Sequence, residues 1–504
     1  MESIFVLTGL TYILMSVVVL ALLLILGNNK QTKKIAKSSL PEAPGPKSWP
    51  VIGSLHLLGG YEVPYQAFSD LGKRYGDIVK LDLGSVSCMV VNGLENIREV
   101  LMTKGTHFDS RPNFRRYQQL FSGDKENSLA FCDWSDVHKI RREMLRTHTF
   151  PRAFSTRFHQ LDSMASQEMD TMMIEINKLS HQPVAIKPFI LHAMGNVFTS
   201  YFCSRRFERD NVGFTKMIDN FDKIFYEVNQ GYAADFLPWL LPLQGRHLAQ
   251  IGEWGHEIRE FMMKEIIATR FNDWTPEQEE DDYVDALISH VQQNKQPALD
   301  WDTAMFALED IVGGHSAISN LLVKVLGYIV TKPEVQMRAQ AEIDAATGVG
   351  SASGRPIGLP DRTSMPYTES VILEAIRLIA SPIVPHVANQ DSSIAGFGVE
   401  KDTLIFLNNY ELNMSPKLWD NPESFSPERF LVDGRIVKPE HFLPFGGGRR
   451  SCMGYKMVQL LSFVTLASLL QNYNILPAEG ENYQVPIGNL ALPSDTFKFI
   501  FQRR

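Results

Sequence analysis

Cysteine is scarce in this chain, and net positive charge is absent. Only Cys88, Cys132, Cys203 and Cys452 occur, far apart and with no C-x-x-C pair. That spacing argues against a disulfide framework and against a structural zinc site. One isolated cysteine can still bind a metal that needs a single protein ligand. Lys and Arg total 49 against 57 Asp and Glu, a net charge of −8, the reverse of the basic footprint of a nucleic-acid binder, so no nucleic-acid partner is expected. No internal repeat, low-complexity tract or second linker follows Val51. With 44% apolar residues over 504 positions, the chain can bury an ample core in one large unit.

Near the N-terminus, residues 3–27, SIFVLTGLTYILMSVVVLALLLILG, carry no charge. At about 1.5 Å per helical residue this run is long enough to cross a hydrocarbon layer of about 30 Å. Lys30, Lys33, Lys34 and Lys37 follow it, which keeps the remainder of the chain on the cytoplasmic side. A cleaved signal peptide fits less well, because the run is too long and lacks a basic start. A mitochondrial presequence should be amphipathic and rich in arginine. The expectation is a single-pass endoplasmic-reticulum anchor at 3–27, a basic and proline-rich linker at 28–50, and a catalytic domain at 51–504. Pro41, Pro44, Pro46 and Pro50 stiffen the end of the linker.

Apolar residues recur at helical spacing over 158–179, 248–271, 301–330, 334–346, 368–379 and 455–471. Strand-like runs are short: 77–93 and 403–409. The predicted fold class is mostly α with a small β-rich region. The acidic run at 276–285 and the Gly/Ser-rich 347–358 read as solvated loops.

Near the C-terminus, PFGGGRRSCMGYKMVQLLSFVTLASLL places a glycine-rich loop, then Cys452, then an apolar helix. The unpaired N–H groups of a helix start stabilise a thiolate, and a thiolate is a soft metal ligand. Gly448 would let the loop turn close to a flat cofactor, Gly454 would let the helix pack against it, and Arg450 could reach an anionic edge. Elsewhere Glu374 and Arg377 stand at i and i+3 on an otherwise apolar helix, a pair that alone would read as a surface salt bridge.

Phe445, Gly448, Arg450, Cys452 and Gly454 match the F-x-x-G-x-R-x-C-x-G haem-binding loop, and on these residues the chain resembles the cytochrome P-450 family. The resemblance spans essentially the whole chain. It implies that fold, haem b as cofactor, Cys452 as the thiolate ligand to iron, and electrons from NADPH through a separate cytochrome reductase. It implies further that Glu374, Arg377 and Arg429 form a buried structural ion triad. Trp134 matches the tryptophan of W-x-x-x-R, which contacts a haem propionate, but the arginine position holds His138. His386 falls where a second propionate partner belongs, with a satisfied core or surface histidine as the rival reading at 138 and 386. The basic cluster Lys139, Arg141, Arg142 and Arg146 is a candidate reductase-docking face or a merely solvated one.

In this family the long central helix carries [A/G]-G-x-[D/E]-T, whose glycines open a groove for dioxygen and whose acid and threonine relay protons. Here the register is Gly313, Gly314, His315, Ser316, Ala317, and both relay residues are missing. At about 100° per residue, a face built on Gly313, Gly314 and Ala317 leaves His315 pointing roughly 155° away. Ser316 lies to its side, Asp310 near its centre, and Glu309 borders it. Proton delivery would then fall to Asp310, Ser316, water or a substrate hydroxyl, unless Ser316 caps a carbonyl and Asp310 is paired off.

The GGHSA departure, with FCDWSDVHKIRREM, SSIAGFGVEKDTLIFLNNYELNMS and APGPKSWPVIGSLHLLGGYEVPYQAFSDLGKRYGDIV, resembles the insect spook and spookier subfamily of the Halloween group. That subfamily belongs to early steps of ecdysteroid synthesis, which implies a sterol substrate of the 7-dehydrocholesterol type. Phe114, Tyr117, Phe121, Phe225, Tyr226, Tyr232, Phe236 and Trp239 lie in the regions that cap the pocket in this fold, as lining or as core. The leading expectation is a monooxygenase; the alternatives are a haem-thiolate isomerase or dehydratase needing neither oxygen nor reductase, and a haem carrier or sensor.

Overall fold

Prolines keep residues 41–50 out of helix, and the segment lies along a sheet. The Lys80 amide donates to the Pro44 carbonyl at 2.9 Å and the Gly398 amide to that of Pro41 at 2.9 Å. The computed structural model describes Val17 and residues 40–179, 182–296, 299–348 and 354–504. Apart from Val17, the expected anchor and the lysines after it lie outside the described residues. No helix among the described residues is long and apolar enough to cross a membrane.

Pro64 opens α1 (Pro64–Tyr75), where a missing N–H costs nothing. The antiparallel hairpin β1 (Ile78–Leu83) and β2 (Val86–Val91) follows. Then come α2 (Arg115–Leu120), α3 (Asp136–Thr149) and α4 (Thr156–Asn177). Ser135 and Ser155 cap the latter two by accepting the amides of His138 and Phe158. Next are β3 (Pro183–Ala185), α5 (Lys187–Cys203), α6 (Val212–Val228) and α7 (Gly245–Met262). The central helix follows as α8 (Trp301–Val312) and α9 (Gly314–Val330), joined at Gly313. After α10 (Pro333–Thr347) and α11 (Pro366–Ile379) come β4 (His386–Val387) and β5 (Leu404–Leu407). The chain closes with α12 (Tyr455–Asn472), β6 (Tyr473–Pro477) and β7 (Lys498–Arg503). One sheet runs β1-β2-β5-β4, with β2 and β5 parallel, and another runs β6-β7-β3.

Helices α9 and α12 are apolar around their circumference, so they must be enclosed on all sides. The largest core cluster does this with residues of α4, α5, α9, α11 and α12. The fold is mostly helical with small sheets, as the periodicity predicts, and four of the expected helices match α4, α10, α11 and α12 within two residues at either end. Two expectations are corrected. The 248–271 helix is interrupted by a wider turn at Met263–Ile267. The acidic run is not all solvated: Asp282 and Asp285 are buried because Arg270 binds both, at 2.7 and 2.8 Å to the two oxygens of Asp282.

Candidate functional site

The loop before α12 turns on backbone conformations that only glycine takes at ease. Gly446 has φ +67° and Gly448 φ +63°. A Cβ on Gly448 would stand 2.0 Å from the Leu101 carbonyl oxygen, so the loop lies directly against backbone there. The Cys452 amide donates to the Phe445 carbonyl at 3.0 Å, closing the turn. Cys88, Cys132 and Cys203 are buried, and Cys452 is the exposed cysteine. Although the residue reaches the surface, the protein packed around its sulfur raises the thiol overall, against the downward pull of the Gly454 N–H, the charge of Arg142 and the Tyr455 N–H. A metal at that sulfur would reverse this rise and favour the thiolate.

Around this loop the structure gathers cations with few carboxylates. Arg450 donates to the carbonyls of Ala130 (3.0 Å) and Cys132 (2.9 Å) and to His138 Nε2 (3.0 Å). A guanidinium only donates, so Nε2 accepts and the His138 proton sits on Nδ1, facing Cys132 Sγ at 2.9 Å. Burial, then Arg450, drives His138 down to about 2, so it is a neutral orienting group rather than the missing cation. Arg449 pairs with Asp109 at 2.9 Å and lies 4.6 Å from the Trp134 ring centre. His386, on β4, donates from Nδ1 to the Phe108 carbonyl at 2.5 Å, and burial holds it neutral, well below the usual imidazole range.

Arg111 went unnoticed in the sequence. It is buried, its guanidinium reaches only the carbonyls of Ala130, Val384 and Pro385, and burial followed by Arg450 lowers its affinity for a proton. A buried cation held by carbonyls beside Arg450 fits a dianionic cofactor edge. An arginine before a proline carries no local signal of burial, which is why the sequence did not point to it.

Glu374 and Arg377 are fully buried and bidentate, with both bonds at 2.8 Å, and Arg429 adds a 3.1 Å bond to Glu374. Arg377 also donates to the Asn413 carbonyl at 2.7 Å, and the Ser426 amide to Glu374 at 2.9 Å. The triad ties α11 to the loops that follow it.

On the central helix, Asp310, Gly313, Gly314 and Ala317 are only partly buried while the positions between and after them are buried. This is an i, i+3, i+4, i+7 stripe, the face expected from the helical wheel. The helix breaks at Gly313, whose amide still bonds Glu309 O at 2.8 Å, while the Ser316 amide takes Gly313 O at 3.1 Å. On the far side, Cβ atoms at Gly313 and Gly314 would meet Phe221 at 2.9 Å and Phe198 at 3.3 Å. His315 turns from the stripe, donates to Val312 O at 2.7 Å, and is held by burial down to about 4. Ser316 Oγ is buried without a hydrogen-bond partner among the described residues. Asp310 Oδ2 accepts from Ser128 Oγ at 3.0 Å, Ala130 N at 3.3 Å and Leu129 N. Burial pushes its carboxyl up against the pull of those donors.

The basic cluster does not form one face. Arg141 is buried on the carbonyls of Glu126 and Asn127, and Arg142 donates to the Ser451 carbonyl at 2.8 Å. Lys139 and Arg146 remain exposed. Among the aromatics, Phe114, Tyr117 and Phe121 are buried, whereas Trp239 is 55% exposed.

Comparison with known proteins agrees with this geometry. The chain is 40% identical over 503 residues to cytochrome P-450 307a1 of Drosophila melanogaster, covering 95% of this chain and 92% of that protein. Cytochrome P-450 1A1 of Macaca fascicularis is 29% identical over 456 residues, covering 86% of each, and that of Platichthys flesus 28% identical over 477, covering 89% of this chain and 88% of that one. The family model for cytochrome P-450 matches residues 43–501, so with its glycine-turned cysteine loop and buried ion triad the chain belongs to the cytochrome P-450 family, whose cofactor is haem b bound through a cysteine thiolate.

Proposed function

We propose that the chain is a single-pass endoplasmic-reticulum monooxygenase that oxidises a sterol precursor of the 7-dehydrocholesterol type early in ecdysteroid synthesis. The observation that carries this reading is the partly open stripe Asp310, Gly313, Gly314 and Ala317, where an alanine stands at the family's alcohol position beside an otherwise complete cysteine loop. That departure belongs to the Halloween-group resemblance, and the 40% identity to cytochrome P-450 307a1 supports it. Residues 3–27 serve as anchor, 28–50 as linker and 51–504 as catalytic domain, with NADPH-cytochrome reductase as electron partner.

Haem b, when bound, supplies oxygen activation, which a thiolate ligand favours by pushing electron density onto iron. Cys452 provides that thiolate, and Gly448 and Gly454 keep backbone close. Arg111, Arg450 and Trp134 would hold the propionate edge of the cofactor, with His138 fixing the plane of Arg450 and His386 fixing the strand behind Arg111. Gly313 and Gly314, whose missing Cβ atoms would meet Phe221 and Phe198, let the helix sit back against those rings and would in that way leave room over the cofactor. Asp310 clamps residues 128–130 against the helix, and Ser316 faces packing rather than the stripe. Protons therefore come from water along the stripe or from a substrate hydroxyl.

Product identification with candidate sterols, NADPH and reductase tests the proposal. Sterol-dependent consumption of NADPH and oxygen, with one oxidised product, is the expected result. Turnover without oxygen would assign an isomerase or dehydratase instead, and absence of turnover in haem-loaded protein would assign a carrier or sensor.

A further inference from the structure

Just before the open stripe, α8 carries a carboxyl group that the site described so far does not use. Glu309 is 6% exposed. Its Oε2 lies 3.3 Å from Arg259 Nη1 on α7, and its Oε1 is buried with no hydrogen-bond partner among the described residues. Arg259 is itself engaged, donating to the Leu120 carbonyl at 3.1 Å and standing 4.8 Å from the Phe306 ring centre. The surroundings are apolar: Leu120, Phe121, Ile251 and Phe306 form one buried cluster, with Phe131, Ile224, Val228 and Trp254 partly buried against it. Leu120, Ile224, Val228, Ile251, Trp254 and Phe306 come from α2, α6, α7 and α8, and Phe121 and Phe131 from the loops after α2, so the cluster packs against α8 one turn before Gly313.

An unpaired buried carboxyl oxygen is costly unless a ligand supplies its partner. An apolar wall with one convergent polar group is what an apolar ligand with one polar end requires. Burial pushes the Glu309 carboxyl up to about 8, against Arg259. A protonated Oε1 can donate to an alcohol and an ionised one can accept from it, and a hydroxyl satisfies either.

We infer that Glu309 Oε1 is the anchor for the hydroxyl of the substrate, placing the alcohol end of a polycyclic sterol against the apolar cluster of α2, α6 and α7. This rests on the sterol reading above. Arg259 is the positioning residue: through Oε2 and the Leu120 carbonyl it fixes the carboxyl plane so that Oε1 is the free atom. The hydroxyl end then lies away from the carbon oriented toward the cofactor, which leaves water along the stripe, and not this hydroxyl, as the proton source.

Optical titration of the haem-loaded, full-length protein with 7-dehydrocholesterol and with the same ring system lacking the hydroxyl provides the test, because it reads binding rather than turnover. The intact protein should prefer the alcohol by on the order of ten- to a hundredfold. Glu309→Leu should abolish that preference by weakening the alcohol alone, and Glu309→Gln should restore part of it, since an amide can still bond a hydroxyl. Equal weakening of both ligands in Glu309→Leu, or an unchanged preference, would overturn the assignment and leave Glu309 as a helix-pairing residue. If the intact protein binds neither sterol, the sterol reading itself fails and this inference falls with it. If it binds both equally, the sterol reading stands and the anchor is rejected.

Discussion

At Gly448 an added Cβ would stand 2.0 Å from the backbone oxygen of Leu101 with φ at +63°, whereas at Gly313 it would meet the ring edge of Phe221 at 2.9 Å with helical φ. Backbone in a packed loop cannot yield, while a phenyl ring can rotate or be replaced. The cysteine loop is therefore a fixed device that a chain holding this cofactor through such a thiolate must reproduce. The break in the central helix is adjustable, and it is also where this chain departs from its family, at Ser316 and Ala317.

The largest effect belongs to Cys452→Ser, which should abolish both turnover and the red-shifted carbon-monoxide band of a thiolate-ligated haem; a retained band would remove Cys452 from the site. Gly448→Ala should come next, costing about 3 kcal/mol or more through the strained φ and the backbone overlap, seen as a lower denaturant midpoint and reduced haem content. Gly313→Ala should change stability by no more than about 1 kcal/mol, because improved helix propensity offsets the displaced ring. It should nevertheless alter product distribution, and Phe221→Leu in the same chain should relieve the packing part. If Gly313→Ala proved as damaging as Gly448→Ala, the two glycines would not differ in kind.

The smallest effect at neutral pH concerns the histidines that pack behind the helix. Burial lowers His315 and His192 from 6.5 to about 4. A depressed folded-state value gives stability that is present above pH 6.5 and is lost as pH falls toward 4, as much as about 3 kcal/mol for each residue. A melting-temperature series from pH 7.5 to about 4.5 should fall accordingly, and His192→Leu should flatten part of the slope. Near pH 7 the same variant should differ little from the parent.

Legibility follows the range of the forces involved. The cysteine loop was readable because its determinants are local: glycines where φ must be positive, an apolar helix start, and fixed spacing. The open stripe was readable because helix periodicity alone orders Asp310, Gly313, Gly314 and Ala317. His315 turning away came from the same geometry. The fate of the charges was not readable. Arg111, Arg141 and Arg142 look no different in sequence from Lys139 and Arg146, yet the first three are enclosed and bonded to carbonyls and the last two face solvent. Asp282 and Asp285 looked like part of a solvated acidic run until Arg270 was placed against them.

The sequence by itself determined where the chain turns, which helix faces are apolar, which cysteine stands at a helix start, and that the usual acid and alcohol are missing. Only the tertiary structure decided which ionisable groups are paired, which are neutral, and which are left with an open valence, as at Glu309. The reason is physical: turn conformation and helix periodicity depend on residues a few positions apart, whereas burial and charge pairing depend on groups as distant in the chain as Arg259 and Glu309, or His138 and Arg450.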